Sequence, residues 1–181
     1  MDGETGNVRV TYERRLDRAL CQQIADILRD CDDDFVPPLS ARHSTHQTCF
    51  QGDEPDASGP TAYLAELCRQ PFVLATLDDR VVGFLSLIPH PNLGHIGLDG
   101  DVLYVSTVCV TGPTRGKGIG TSLYAYVEDV LRPGAVAIRT WSTNDAQLAL
   151  LHGRGYRLVR TVRDDRGRDV DTLYFTKKLK A

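Results

Sequence analysis

The chain has 181 residues, 41% of them apolar, which suits a single domain with a substantial core. Its formal charge of −3 argues against a general nucleic-acid binder. No apolar run is long enough to span a bilayer, so no membrane insertion is expected and a soluble substrate is. The charge is unevenly spread, with −9 over residues 1–131 and +6 over residues 132–181. Solvated strands and a hairpin explain the basic end more readily than a phosphate-rich ligand does. Five cysteines (Cys21, Cys31, Cys49, Cys68, Cys109) and a polar, acidic start over Met1–Asn7 lead to the expectation of a reducing, cytoplasmic setting.

Val8, Val10 and Tyr12 alternate as a strand. Leu16, Leu20, Ile24, Ile27 and Leu28 then recur at helical spacing up to the acidic stretch Asp30–Asp34. Residues 35–56, with Pro37, Pro38 and Gly52, predict an irregular segment, and a second helix is expected over 61–69. Strands at 72–77 and 81–88 flank Asp78-Asp79-Arg80, an interval suited to an antiparallel hairpin, and a looser loop follows over 89–101. Residues 102–110 have the Val- and Thr-rich composition of a central strand buried on both faces. From Ile119 a helical stripe (Leu123, Val127, Val130, Leu131) runs to Pro133-Gly134. A strand at 135–141 leads to Asn144, which caps a helix ending near Arg154-Gly155. Strands over 157–162 and 171–178 flank the polar turn 164–169. The order predicts one α/β (α+β) domain spanning 1–181, a mixed sheet covered by helices.

The stretch Val110-Thr-Gly-Pro-Thr-Arg-Gly-Lys-Gly-Ile-Gly-Thr121 sets glycines between a buried strand and a helix, where exposed amides and the positive end of the helix suit phosphate. A Walker A loop is excluded, since only three residues separate Gly112 from Gly116 and Lys117 precedes Gly118. A dinucleotide fingerprint fits poorly, because Gly116, Gly118 and Gly120 are spaced G-x-G-x-G.

What the stretch resembles is the acetyl-CoA motif of the GNAT superfamily, Arg/Gln-x-x-Gly-x-Gly/Ala, matched by Arg115, Gly118 and Gly120. The element order resembles that family along almost the whole chain. The resemblance implies a mixed, mostly antiparallel sheet of about seven strands flanked by four helices, and N-acetyl transfer from acetyl-CoA. It further implies that the amides of Arg115, Gly116, Lys117, Gly118, Ile119 and Gly120, with Thr121, take the CoA pyrophosphate, and that Val108, Cys109 and Val110 pair with the pantetheine like an added strand. Homodimers are common in the family.

A second family landmark, an Asn opening the last helix and Gly-Tyr closing it, is matched by Asn144 and Gly155-Tyr156. The Tyr that often stands seven residues after the Asn, protonating the departing thiolate, is replaced by Leu151. His152 is the candidate acid beside it, although adjacent helix residues point about 100° apart. A thiolate, with a reference pKa near ~8.5, also leaves without a fixed acid.

The attacking amine must be neutral, yet an alkylamine with pKa near ~10 is protonated at neutral pH. The strand 102–110 offers Ser106, Thr107 and Cys109 but no carboxylate, so a water relay is favoured, with Asp33, Asp34, His90 and His95 as candidate end points. An amide near Cys109 or Val110 would meet the oxyanion. No base is visible beside Cys109, which favours direct transfer over an acyl-cysteine.

His43, His46 and Cys49 are spaced by three but lack a fourth ligand, so no metal is expected. Tyr63, Phe72 and Trp141 are candidate acceptor-pocket aromatics. The acidic first part of the chain favours a cationic acceptor: a polyamine, an aminoglycoside or a Lys peptide. The alternative to an enzyme is a non-catalytic acyl-CoA-binding or sensing domain.

Overall fold

The computed structural model describes residues 8–47, 50 and 54–179. Strand β1 (Arg9–Glu13) is followed by helices α1 (Arg18–Asp30) and α2 (Thr61–Leu67), then β2 (Phe72–Leu77), β3 (Arg80–Pro89) and β4 (Val102–Val110). Helix α3 (Ile119–Tyr126), β5 (Ala135–Trp141), α4 (Asp145–Gly153), β6 (Arg157–Val162) and β7 (Thr172–Lys178) complete the order. The seven strands form one sheet, β1-β2-β3-β4-β5-β7-β6. Every neighbouring pair is antiparallel except β4–β5, which the α3 crossover makes parallel.

Alternation along β2 shows why the sheet is covered twice. Val73 and Ala75 face a core built with Ile119, Leu123, Tyr124 and Leu151 of α3 and α4. Phe72 and Leu74 face a second core with Ile24, Leu28, Tyr63 and Leu67 of α1 and α2. Helix α1 starts where Asp17 accepts the Leu20 amide at 2.8 Å, and its inward stripe is Ile24, Ile27 and Leu28. The β2–β3 turn holds Asp78 and Asp79 at φ of 49° and 59°, left-handed values that a tight hairpin needs and that aspartate tolerates.

Two sequence expectations change in detail. The helix expected from Ile119 to Leu131 is α-helical only to Tyr126 and continues as a π-turn over Val127–Leu131. Within that turn Glu128 is buried and meets Arg154 of the residue pair closing α4 and Lys177 of β7. Strand β4 is not buried on both faces throughout: Ser106, Val108 and Val110 are half-buried. Its parallel pairing to β5 ends at Val105–Ile138, so the rest of the strand has no neighbour on that side.

Candidate functional site

The parting of β4 and β5 is the structural origin of the site. Four residue pairs, Val102–Ala135 to Val105–Ile138, are in register, after which β5 stays with β7 as far as Trp141 while β4 stays with β3. A bulge assists the divergence, because Ser86 and Leu87 of β3 face Thr107 and Val105, leaving Ser106 as the extra residue. Between the strands lies a cleft of about 750 Å³, walled by β4, β5, the glycine loop and the start of α4. One side of β4 from Ser106 to Val110 is thereby an open strand edge inside the protein.

The glycine loop closes one end of the cleft. Gly116 and Gly118 sit at φ of 74° and 78°, and a Cβ on Gly120 would lie 2.9 Å from Leu150 Cδ1. The Thr114 and Arg115 amides donate to Thr111 and Gly112 carbonyls, and the Ser122 amide donates to Gly118. Among the described residues none accepts from the amides of Gly116 to Thr121, so the unbonded run begins one residue later than the sequence implied. Six consecutive donors at the positive end of α3 make a concave run of amides suited to an anion. Lys117 is exposed at the loop tip and does not line the cleft. Asn144 lines it while capping α4, accepting the Gln147 amide at 3.3 Å.

Arg115 turns its side chain away from these amides. Its Nε donates to the Val110 carbonyl at 2.9 Å, and its Nη2 donates to Asp34 Oδ2 at 2.5 Å and contacts Cys31 Sγ at 3.4 Å. This ties the end of α1 to the end of β4, and raises the Arg115 pKa through Asp34. Cys31 and Cys109 lie beside it, and the Cys31 thiol contacts the Val110 carbonyl at 3.9 Å. The Cys31 thiol is lowered, first by the hydrogen bond from Cys109 and, against burial, by the Arg115 charge. Cys109 is pushed well up by burial and by its neighbour, so it is held as a thiol.

Several sequence candidates fall elsewhere. Leu151 is fully buried in the α3–α4 core, and Leu150 lines the cleft in its place. His152 is exposed outside the cleft, edge-on to Phe175 at 5.4 Å, because each step along the helix rotates the side chain by about 100°. Asp33 is exposed and off the cleft, and the Asp34 carboxylate, although at the cleft, is engaged by Arg115. His90 and His95 are exposed in the β3–β4 loop, away from the lining. Phe72 packs on Phe84 in the core, whereas Trp141 lines the cleft and Tyr63 reaches it through a 2.6 Å hydrogen bond to Thr107. Cys49 lies outside the described residues, and His46 pairs with Glu66 at 3.4 Å. No group of three metal-binding side chains gathers among the described residues.

Two features were not read from the sequence. Ser106, the bulge residue, donates to Gln70 Oε1 and contacts Ser86 Oγ at 2.6 Å. Gln70 donates to Thr45 at 2.8 Å, and Thr45 donates to Glu66, whose carboxylate stays below its ordinary pKa because the Thr45 hydrogen bonds outweigh burial. The second feature is a cluster of Arg42, Arg139 and Arg166 lining the end of the cleft away from the glycines. The cleft is locally basic there, although residues 1–131 are acidic in sum.

The profile of the Acetyltransferase (GNAT) family matches residues 39–156. No curated protein matches the sequence. Among solved structures, a protein of Desulfovibrio desulfuricans assigned to the GNAT acetyltransferases is similar at TM-score 0.69 and 13% identity, over 95% of this chain and 100% of that one. A Salmonella typhimurium protein assigned as an acetyltransferase, solved with its cofactor acetyl-CoA, is similar at TM-score 0.63 and 19% identity, over 94% of each chain. The aminoglycoside 6'-N-acetyltransferase of Enterococcus faecium is similar at TM-score 0.66 and 17% identity, over 96% of this chain and 98% of that one. At these identities the structural likeness is one of fold. The family match carries more, for it spans β4, the glycine loop, β5 and α4, the elements that build the cleft, and so the chain belongs to the GNAT family, the acetyl-CoA-dependent N-acetyltransferases.

Proposed function

We propose that the enzyme passes the acetyl group directly to a primary amine of a small molecule or peptide, with no acyl-enzyme step. The observation that carries this reading is the fork between β4 and β5 with the unbonded amides of Gly116–Thr121 at one end. The cradle fits the CoA pyrophosphate, since nothing lies within 4 Å of where a side chain would start at Gly116 or Gly118. Val108, Cys109 and Val110 offer the pantetheine an open strand edge, and Asn144 borders its path. Bound acetyl-CoA supplies an activated thioester.

The protein's part is then positioning and charge. The Val110 amide, which alternates away from β3, donates to the developing oxyanion. The Ser106 hydroxyl, oriented by Gln70 and Ser86, holds the water that takes the proton. With Leu151 buried and His152 outside the cleft, the thiolate leaves without a fixed acid. Four free thiols among the described residues, Cys21, Cys31, Cys68 and Cys109, suit a reducing cytoplasmic setting.

The test is free-thiol release from acetyl-CoA across a panel of amines, at neutral and mildly alkaline pH, with intact-mass measurement of the protein. Amine-dependent release that rises with pH, without an acetyl adduct, is expected. An adduct on Cys31 or Cys109 would replace direct transfer with an acyl-cysteine route. CoA binding with no release on any amine would make the chain a non-catalytic acyl-CoA-binding domain.

A further inference from the structure

Three arginines from distant parts of the chain converge on one ring. Arg42 comes from the segment after α1, Arg139 from β5 just past its last pairing with β4, and Arg166 from the β6–β7 turn. Their guanidinium carbons lie 5.3, 5.3 and 4.8 Å from the centroid of Phe50. Arg166 also lies 5.3 Å from the Trp141 ring, and Arg42 lies 5.3 Å from Phe35. Arg42 and Arg166 are only 6% and 7% exposed, so these charges have little water to solvate them.

Their protein partners are neutral. Arg42 donates to the Pro37 and Val36 carbonyls. Arg166 donates to Thr172 Oγ1 at 2.9 Å and to the Val36 carbonyl at 2.8 Å. Arg139 donates to the Thr45 carbonyl at 3.3 Å. Among the described residues no carboxylate forms an ion pair with any of the three, and Arg42 Nη1 and Arg166 Nη2 have no hydrogen-bond acceptor. Burial, then the neighbouring arginine charges, pull Arg166 down to about 9, and burial is the main cause of the fall to about 10 at Arg42. A buried cluster of like charges is costly unless an anion completes it, and the planar forks are suited to bind one bidentately.

We propose that Arg42, Arg139 and Arg166 form the anion-binding subsite of the acceptor, which is therefore a small amine carrying a carboxylate or phosphonate a few bonds from its nitrogen. This deepens the acetyl-transfer reading and rests on it. Arg139 follows the last β4–β5 pair directly, so the subsite adjoins the fork where the amine must meet the thioester. Such proximity fits an amino-acid-sized acceptor, and a cleft of about 750 Å³ shared with the pantetheine leaves room for little more. A polyamine or Lys side chain would meet three like charges, the reverse of what the net charge of the first 131 residues implied.

The experiment compares matched pairs on the full chain with acetyl-CoA: α-amino acids and aminophosphonates against their carboxamides, esters and decarboxylated amines. At least about a hundredfold preference in kcat/KM for the anionic member is expected, consistent with a site whose buried charges a neutral analogue leaves unpaired. Arg139→Gln and Arg166→Gln should raise KM for the anionic amine and erase the preference, with CoA affinity within twofold. Arg166→Lys should recover only part of it, because the fork is lost. Turnover favouring neutral or polycationic amines would overturn the subsite while leaving the acetyltransferase reading intact. If no amine is turned over, that reading fails, and Trp141 fluorescence of the CoA-bound chain still decides the subsite. Saturable quenching by the acid alone, abolished in Arg166→Gln, supports it; equal responses to acid and amide, or none, overturn it.

Discussion

Gly118 illustrates how one residue type serves geometry and binding together. Its φ of 78° lies where an L side chain is strained by about 1–2 kcal/mol, and a Cβ there would meet nothing within 4 Å, so strain is the whole folding cost. Gly118→Ala should lower stability by about that amount in a denaturant titration. It should also weaken CoA binding several-fold in a direct titration, because relaxing the strain turns the loop amides from their common target. An unchanged CoA affinity would show that these amides are not the pyrophosphate cradle. The same scale explains where α4 places two candidate residues. Leu151 and His152 are neighbours in sequence, but a 100° step sends one into the core and the other to solvent. Position relative to Asn144 could not establish which side chain faced the cleft; the fold gives that place to Leu150.

At the level of elements, the end of α3 combines a π-turn with the most buried ion cluster described in the fold. Glu128 accepts from Arg154 at 3.0 and 2.8 Å and from Lys177 at 2.5 Å, linking the α3 crossover to α4 and β7. Burial alone would raise its pKa, but Arg154 and Lys177 outweigh burial and hold the carboxylate below its ordinary value. A depressed folded pKa means that the contribution is present above the unfolded value, near 4.5, and is lost as pH falls through the folded one. Glu128→Gln should therefore cost about 3 kcal/mol at neutral pH, leaving two cations underpaired. The difference between variant and wild type should shrink on acidification below about pH 4, as measured by chemical denaturation at each pH. A deficit that persists undiminished in acid would mean that the variant suffers from packing and not from lost charge. Strand β4 carries the complementary lesson. Its Val- and Thr-rich composition marked it as central, but whether both of its edges were paired depended on where β5 left it.

For the whole molecule, a single sheet runs through both cores, and β2 and β3 contribute side chains to each, so neither half has an independent core. The chain should unfold in one cooperative transition, with Trp141 fluorescence at the cleft and far-UV circular dichroism giving the same midpoint. Separate midpoints would show that the cleft side opens on its own. Much of this architecture was legible from local patterns. Period-two and helical spacing, the Asn144 cap, the aspartate hairpin turn and the Gly116–Gly120 loop are written within windows of a few residues, because backbone geometry and local hydrogen bonding decide them. The fork, the Ser106 bulge and the arginine cluster were not legible. They depend on register between strands and on side chains at positions 42, 139 and 166 meeting around Phe50. Net charge sums over a sequence, whereas the potential in a cleft depends on which few charges the fold brings within it and removes from water. The sequence by itself determined the elements and the glycine loop, because these are fixed by local backbone geometry; only the tertiary structure decided that the opposite end of the cleft is cationic.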